Sequence, residues 1–95
     1  MIPEKFNYEL LVTIACIEFG IKDDEYYSSF SYGNIGQVRQ TVCYLLRQMG
    51  LKNKEVSAVT GFSQSRTSNS VRIVSLDDIM LLKSEKIIYN YGIAK

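Results

Sequence analysis

The apolar residues of this chain recur at helical spacing, and glycine follows the end of each apolar stripe. Gly20 closes the first stripe, which consists of Tyr8, Leu11, Val12, Ala15, Cys16 and Phe19. Gly50 closes the second, which consists of Val38, Val42, Leu45, Leu46 and Met49. Steps of three and four residues are typical of amphipathic helices, and glycine is a common helix stop. We found neither strand-like alternation nor an internal repeat, so residues 1–95 are predicted to form one compact all-α bundle of about five helices.

The remaining helices are predicted from short polar residues at their starts. These candidate N-caps are Asn34 (with Gln37), Asn53, Ser63 and Ser75 (with Asp78). Acidic residues 23–25 favour a short helix or turn through Tyr26 and Tyr27, and residues 28–36 are predicted to be a loop. The last helix is predicted to run to about Gly92, and its apolar residues include Ile79, Leu82, Ile87 and Tyr89.

The chain lacks the residues that most enzymes and metal sites need. It has no histidine, two cysteines and six scattered glycines, so it offers no neutral-pH base, no zinc ligand set and no phosphate-binding loop. We therefore predict no catalytic residues, no metal, no cofactor, no small-molecule substrate and no enzymatic activity. Neither a secretory signal nor an apolar run long enough to span a membrane is evident, which predicts a cytoplasmic protein. Cys16 and Cys43 are expected to be core thiols, a disulfide between them being the less favoured alternative.

The small net charge of +1 conceals an uneven distribution along the chain. Residues 1–31 contain six acidic and two basic side chains, whereas residues 32–75 contain six basic side chains and one acidic side chain. In residues 76–95 the two signs balance. A basic middle segment favours a nucleic-acid partner, whereas an even mixture of the two signs would have argued against one.

Residues 63–70, Ser-Gln-Ser-Arg-Thr-Ser-Asn-Ser, lie inside this basic segment and contain no apolar side chain. A polar helix start that follows a tight turn is typical of the second helix of a helix-turn-helix, here predicted over about residues 53–74. In the shortest form of that motif the inward positions would be Thr67 and Ser70. A turn one residue longer places Val71 inward, and this is the register that we predict.

Several motifs between residues 11 and about 79 resemble one known family. They are residues 14–21 (Ile-Ala-Cys-Ile-Glu-Phe-Gly-Ile), Val38-Arg39-Gln40, Tyr44-Leu45-Leu46-Arg47, Glu55-Val56 and Gly61. Their order and spacing are similar to the C-terminal DNA-binding domain of the bacterial replication initiator DnaA, which has a Trp-repressor-like fold. The resemblance implies a double-stranded DNA partner and a role in DNA replication or transcription control.

The residues that read DNA in that family differ here. The family signature Arg-Asp-His-Ser/Thr-Thr corresponds to residues 63–67, where only Thr67 keeps its type. The family's basic loop corresponds to residues 29–37, which contain no basic residue, and Gln37 lies near the position of its minor-groove arginine. The resemblance therefore implies a DNA sequence preference different from that of DnaA.

The candidate DNA-binding residues follow from this alignment and from side-chain chemistry. Gln64 can pair with adenine and Arg66 with guanine, while Ser65, Thr67 and Asn69 offer shorter contacts. Ser63 and the helix N-terminus suit a phosphate. Further candidates for contacts with the DNA backbone are Arg39, Lys52, Lys54 and Arg72.

Two alternatives remain open from the sequence. The polar segment can be an ordinary solvated helix face, because serine, threonine and asparagine are also common there. The chain can also be a protein-interaction module that kept the fold and lost DNA binding. Its partner would be bound by the aromatic cluster of Tyr26, Tyr27, Phe30 and Tyr32 or by the acidic first helix. A homodimer is a further expectation, for which the apolar residues of the last helix are the candidate face.

Overall fold

A computed structural model describes residues 6–30 and 33–94 of the chain. These residues form six α-helices and contain no strand. The helices are α1 (Tyr8–Phe19), α2 (Asp23–Tyr26), α3 (Asn34–Gln48), α4 (Asn53–Thr60), α5 (Gln64–Ser75) and α6 (Asp78–Ala94). The predicted all-α bundle is confirmed, with five longer helices and the short α2 where a single turn was expected.

The core forms around α1 and α3, whose apolar stripes face each other. Leu11 and Val12 of α1 and Val38, Val42 and Leu46 of α3 are fully buried. The core is completed by side chains from α4 and α6, namely Val56, Ile87 and Tyr91. Cys16 and Cys43 are free thiols inside this core, as predicted. Burial of these stripes supplies the main stabilisation of the bundle.

Three of the predicted N-caps are wrong, and in each case a neighbouring residue takes the position. Gly33 precedes α3 with a φ of 57°, and Asn34 instead donates from Nδ2 to the Phe19 carbonyl, 3.0 Å away. Lys52 precedes α4, where its backbone N–H is bound by the Glu55 carboxylate at 2.9 Å. Asn53 is the first residue of α4 and turns its side chain towards α5.

The start of α6 also differs from the prediction. Asp77 caps this helix, since its Oδ1 accepts from the backbone N–H groups of Ile79 and Met80 at 3.0 Å. Ser75 is the last residue of α5, and its hydroxyl donates to the Arg72 carbonyl. Ser75 and Asp77 are both polar residues close to the start of α6. Asp77 takes the cap position because its carboxylate reaches both free N–H groups.

The residues that α6 buries are mostly different from those that its sequence predicts. Ile87 is buried as expected, but the other inward side chains are Met80, Ser84 and Tyr91. Ile79, Leu82 and Tyr89 are exposed. Two polar contacts fix this rotation. The Tyr91 hydroxyl accepts from the Asn7 N–H at 2.9 Å, and Lys83 Nζ donates to the Glu18 carbonyl at 3.2 Å.

Candidate nucleic-acid interface

Helices α4 and α5 are joined by three residues, Gly61, Phe62 and Ser63. Gly61 adopts the left-handed conformation (φ 81°), which glycine reaches without steric cost. Ser63 caps α5, as predicted, because its Oγ accepts from the Arg66 N–H at 3.1 Å. The helix therefore begins directly after the turn, and its first side chains are in solvent.

The inward face of α5 corrects the predicted register. Thr67, Ser70 and Val74 are buried against the rest of the bundle, mainly α3, whereas Val71 is only half-buried. Thr67 and Ser70 therefore face inward, and the predicted inward position of Val71 is wrong. The hydroxyls tolerate burial because each donates to the carbonyl four residues earlier, Thr67 to Ser63 (3.1 Å) and Ser70 to Arg66 (2.8 Å).

These two hydroxyls also lie against the Cys43 thiol of α3. Burial raises the pKa of Cys43, and the neighbouring hydroxyls of Thr67 and Ser70 and the charge of Arg66 partly oppose that rise. Small side chains on both helices let α5 approach α3 closely. The sequence analysis placed Val71 inward because it expected a hydrophobic side chain there, but a close helix contact needs small volume more than it needs apolarity.

The opposite face of α5 is polar and carries no carboxylate. We call it the α5 outer face, and its members, all exposed, are Gln64, Ser65, Ser68, Asn69 and Arg72. Spacings of one, four, five and eight residues from Gln64 place them on one side of the helix. Four of them were predicted from the sequence. Ser68 was missed, although its position between Gln64 and Arg72 at four-residue steps could have identified it.

Side chains from the start of α4 border the α5 outer face. Asn53 Nδ2 donates to Ser68 Oγ at 2.7 Å, and the side-chain amide oxygen of Asn53, Oδ1, is buried. Lys52 and Lys54, on either side of Asn53, are exposed. Arg72 donates from Nη2 to Asn69 Oδ1 at 2.6 Å, so the guanidinium is held across the outer face. Amide, hydroxyl and cationic groups therefore form one continuous surface.

Two predicted DNA-contacting residues are inside the fold. Thr67 is fully buried, which removes its side chain from any surface contact. Arg39 is 5% exposed, and its guanidinium donates to the backbone carbonyls of residues 25, 26 and 28 at 2.7–3.3 Å. Burial and the nearby charge of Arg66 lower the pKa of Arg39. Arg39 therefore joins α3 to the C-terminal end of α2 and to Ser28 beyond it, instead of lying on the surface.

Arg66 lies beside the α5 outer face instead of on it. Its guanidinium sits 4.3 Å from the centre of the Phe62 ring, a cation–π contact that the sequence did not predict. Arg66 also lines a cleft of about 610 Å³ together with Arg39, Tyr8, Tyr26 and residues of the α4–α5 turn. The side chain is exposed, so it remains able to reach a partner from the edge of α5.

The remaining predicted residues lie at the start of α3 and in the segment before it. Gln37 is exposed in the first turn of that helix, and its minor-groove role stays a prediction. In the aromatic cluster of the alternative hypothesis, Tyr26 is a core residue whose hydroxyl pairs with that of Tyr8 at 2.6 Å. Tyr27 and Phe30 are more than half exposed, and Tyr32 lies outside the described residues.

Comparisons with known proteins add no further residue to this interface. No protein-family model and no curated protein matches the sequence. The resemblance to the DnaA domain thus stays a prediction carried by the motifs quoted above. Within residues 6–30 and 33–94, no helix has the length and apolar character needed to cross a membrane. The same residues contain no group of three or more potential metal ligands.

Proposed function

We propose that this chain is a non-enzymatic helix-turn-helix domain that binds double-stranded DNA and inserts α5 into the major groove. One observation carries the proposal: the α5 outer face is polar and carboxylate-free, and it lies directly opposite the stripe that buries Thr67, Ser70 and Val74. A helix fixed by one face and presenting donors and acceptors on the other is the arrangement that reads base edges.

Each exposed group has a role that suits its chemistry. The side-chain amides of Gln64 and Asn69 can pair with adenine, and the guanidinium of Arg66 with guanine. Lys52 and Lys54, next to the outer face, can neutralise phosphates. Ser63, Ser65 and the free N–H groups at the start of α5 can bind a phosphate. Asn53 and Ser68 hold the start of α4 against the middle of α5, which fixes these groups relative to one another.

The domain would act in DNA replication or transcription control in the cytoplasm, where its two free thiols stay reduced. Its DNA site would differ from that of DnaA, because the outer-face residues differ from the family signature. A second candidate, a protein-interaction module, is favoured by one observation. Tyr27 and Phe30 are exposed, and aromatic side chains are common at the centres of protein interfaces.

The experiment is fluorescence anisotropy with a random-sequence duplex at about 50 and 200 mM salt. If the domain makes four phosphate contacts, raising the salt between these concentrations should weaken binding about 100-fold. The double variant Arg66→Ala/Lys54→Ala should lose most of the affinity and part of the salt dependence. Lys22→Ala, an exposed lysine at the start of α2, is the control and should bind like the wild type. If the wild type does not bind at 50 mM salt, DNA binding is excluded and Phe30→Ala becomes the test of the second candidate.

A further inference from the structure

Helix α6 presents a row of large apolar side chains to solvent. Leu76, just before the helix, and Ile79, Leu82, Tyr89 and Ile93 are each between 55% and 77% exposed. Single exposed apolar residues are common on protein surfaces, but a contiguous patch of this kind marks an interaction surface. The rotation of α6 is fixed by Ile87, Tyr91 and the Lys83 contact described above, and among residues 6–30 and 33–94 this row stays exposed.

The spacing of the row is that of a coiled-coil seam. Along α6 it reads Ile79, Leu82, Lys86, Tyr89 and Ile93, in steps of three, four, three and four residues. This is the alternation of the a and d positions of a heptad, with one lysine at a central a position. Asp78 and Glu85 flank the seam on one side and are both exposed. We call the five seam residues the α6 seam.

We propose that the α6 seam pairs with the same seam of a second copy of this chain, side by side and parallel, in a symmetric homodimer. The pairing brings Ile79, Leu82, Tyr89 and Ile93 of each copy against their equivalents. A two-fold axis parallel to α6 leaves the rest of each bundle on opposite sides of the helix pair. The proposal rests on α6 alone and does not depend on DNA binding.

Charge decides between the parallel and antiparallel arrangements. In a parallel pair, the side of each helix that carries Asp78 and Glu85 lies against the seam of the other helix. Glu85 of each copy therefore lies beside Lys86 of the other. An antiparallel pair that covers the whole seam brings like flanks together and places Glu85 opposite Glu85. The parallel pair also places Lys86 opposite its equivalent, which costs stability, as a lysine at an a position does. It gains two Glu85–Lys86 contacts that outweigh this one repulsion, whereas the antiparallel pair has a repulsive contact and no such gain.

The first test is the mass in solution, measured by sedimentation equilibrium from about 1 to 500 µM. We expect the wild type to approach twice the chain mass of 10.8 kDa at the upper concentrations. Leu82→Glu should remain monomeric, because it places a carboxylate inside the seam. Ile17→Glu is the matched control, an isoleucine of α1 that is 73% exposed, and it should dimerise like the wild type. A wild type that stays monomeric throughout overturns the proposal, as does a Leu82→Glu dimer.

The second test determines the relative orientation of the two α6 helices with the single variants Leu82→Cys and Tyr89→Cys. Both native thiols are buried and should not cross-link. In a parallel pair both variants should oxidise to disulfide-linked dimers. An antiparallel pair can bring at most one of these positions beside itself, so one or no cross-link contradicts the parallel arrangement. In addition, Lys86→Glu should weaken the dimer about fivefold, and Glu85→Lys/Lys86→Glu should restore it. Failure of the double variant to restore the dimer contradicts the proposed charge contact.

Discussion

Helices α5 and α6 distribute polarity in opposite ways, although both belong to the same bundle. Helix α5 turns Thr67 and Ser70 inward and shows only polar side chains on its outer face. Helix α6 buries Ile87 and Tyr91 but also shows the apolar α6 seam on its outside. A helix of a bundle needs only one apolar stripe to pack against its neighbours. The small polar side chains inside α5 fit its close packing against α3. The outer faces of the two helices are the surfaces on which we propose DNA binding and self-association.

The comparison also shows that apolarity alone does not identify the buried stripe. In α5, a close approach to α3 selects small side chains, and the hydroxyl groups find carbonyl acceptors on their own helix. In α6, two apolar stripes compete for the core, and hydrogen bonds at Tyr91 and Lys83 select one of them. In both helices the orientation was set by contacts with other parts of the chain.

The largest expected effect separates the two stripes of α6. Ile87→Ala should lower the free energy of unfolding by about 2–5 kcal/mol, because it leaves a cavity in the core. Leu82→Ala should change it by less than about 1 kcal/mol when measured below the dimer concentration range. Urea unfolding followed by circular dichroism measures both. Equal losses in the two variants would mean that α6 does not keep the described rotation.

The next effect tests the register of α5. Thr67→Leu should destabilise the fold by about 1–3 kcal/mol, since the larger side chain does not fit between α5 and α3. Val71→Ala should cost less than about 1 kcal/mol, because Val71 is only half-buried. The same urea experiment applies. A large loss of stability in Val71→Ala with none in Thr67→Leu would instead support the longer turn that the sequence predicted.

A smaller effect distinguishes the cations at the α5 outer face from the lysine of the α6 seam. Arg72→Ala and Lys54→Ala should each reduce the slope of log affinity against log salt by about one, as expected for the loss of a phosphate contact. Lys86→Ala, in the α6 seam, should leave that slope unchanged when the duplex holds one binding site. Anisotropy at four salt concentrations gives the slopes. A reduced slope for Lys86→Ala would place DNA on α6 as well.

The smallest effect concerns the exposed hydrogen bond that connects α4 with the α5 outer face. Asn53→Ala and Ser68→Ala should each destabilise the fold by about 0.5–1 kcal/mol. Because both remove the same bond, the double variant should cost less than the sum of the single variants. Additive effects in this double-mutant cycle would show that the bond does not fix α5 against α4.

Much of the fold was predictable because local rules act on it. The stripes of α1 and α3, the two buried thiols, the stop at Gly20 and the cap at Ser63 all follow from spacing and from single-residue chemistry. The caps at Gly33, Lys52 and Asp77 were missed because two or three neighbouring residues could each have filled the position. A choice between adjacent polar residues depends on geometry that the sequence does not contain.

The polar character of the candidate interface could be predicted from the sequence, but not all of the residues that form it. Gln64, Ser65, Asn69 and Arg72 lie on one exposed face, as their helical spacing requires. Arg39 was misassigned because its guanidinium binds carbonyls of a distant segment, a contact that the sequence gives no reason to expect. The Arg66–Phe62 contact and the Asn53–Ser68 bond were missed for the same reason.

The most direct test of the account is a pair of charge changes that preserve side-chain size. Gln64→Glu adds a carboxylate to the α5 outer face, and Gln48→Glu adds one at an exposed position at the end of α3. A carboxylate in the first turn of a helix is stabilising, so Gln64→Glu should fold normally. In anisotropy titrations with duplex DNA at about 50 mM salt, we expect Gln64→Glu to lose at least about tenfold in affinity. Gln48→Glu should bind like the wild type, and equal affinities for the two variants would contradict DNA binding by α5.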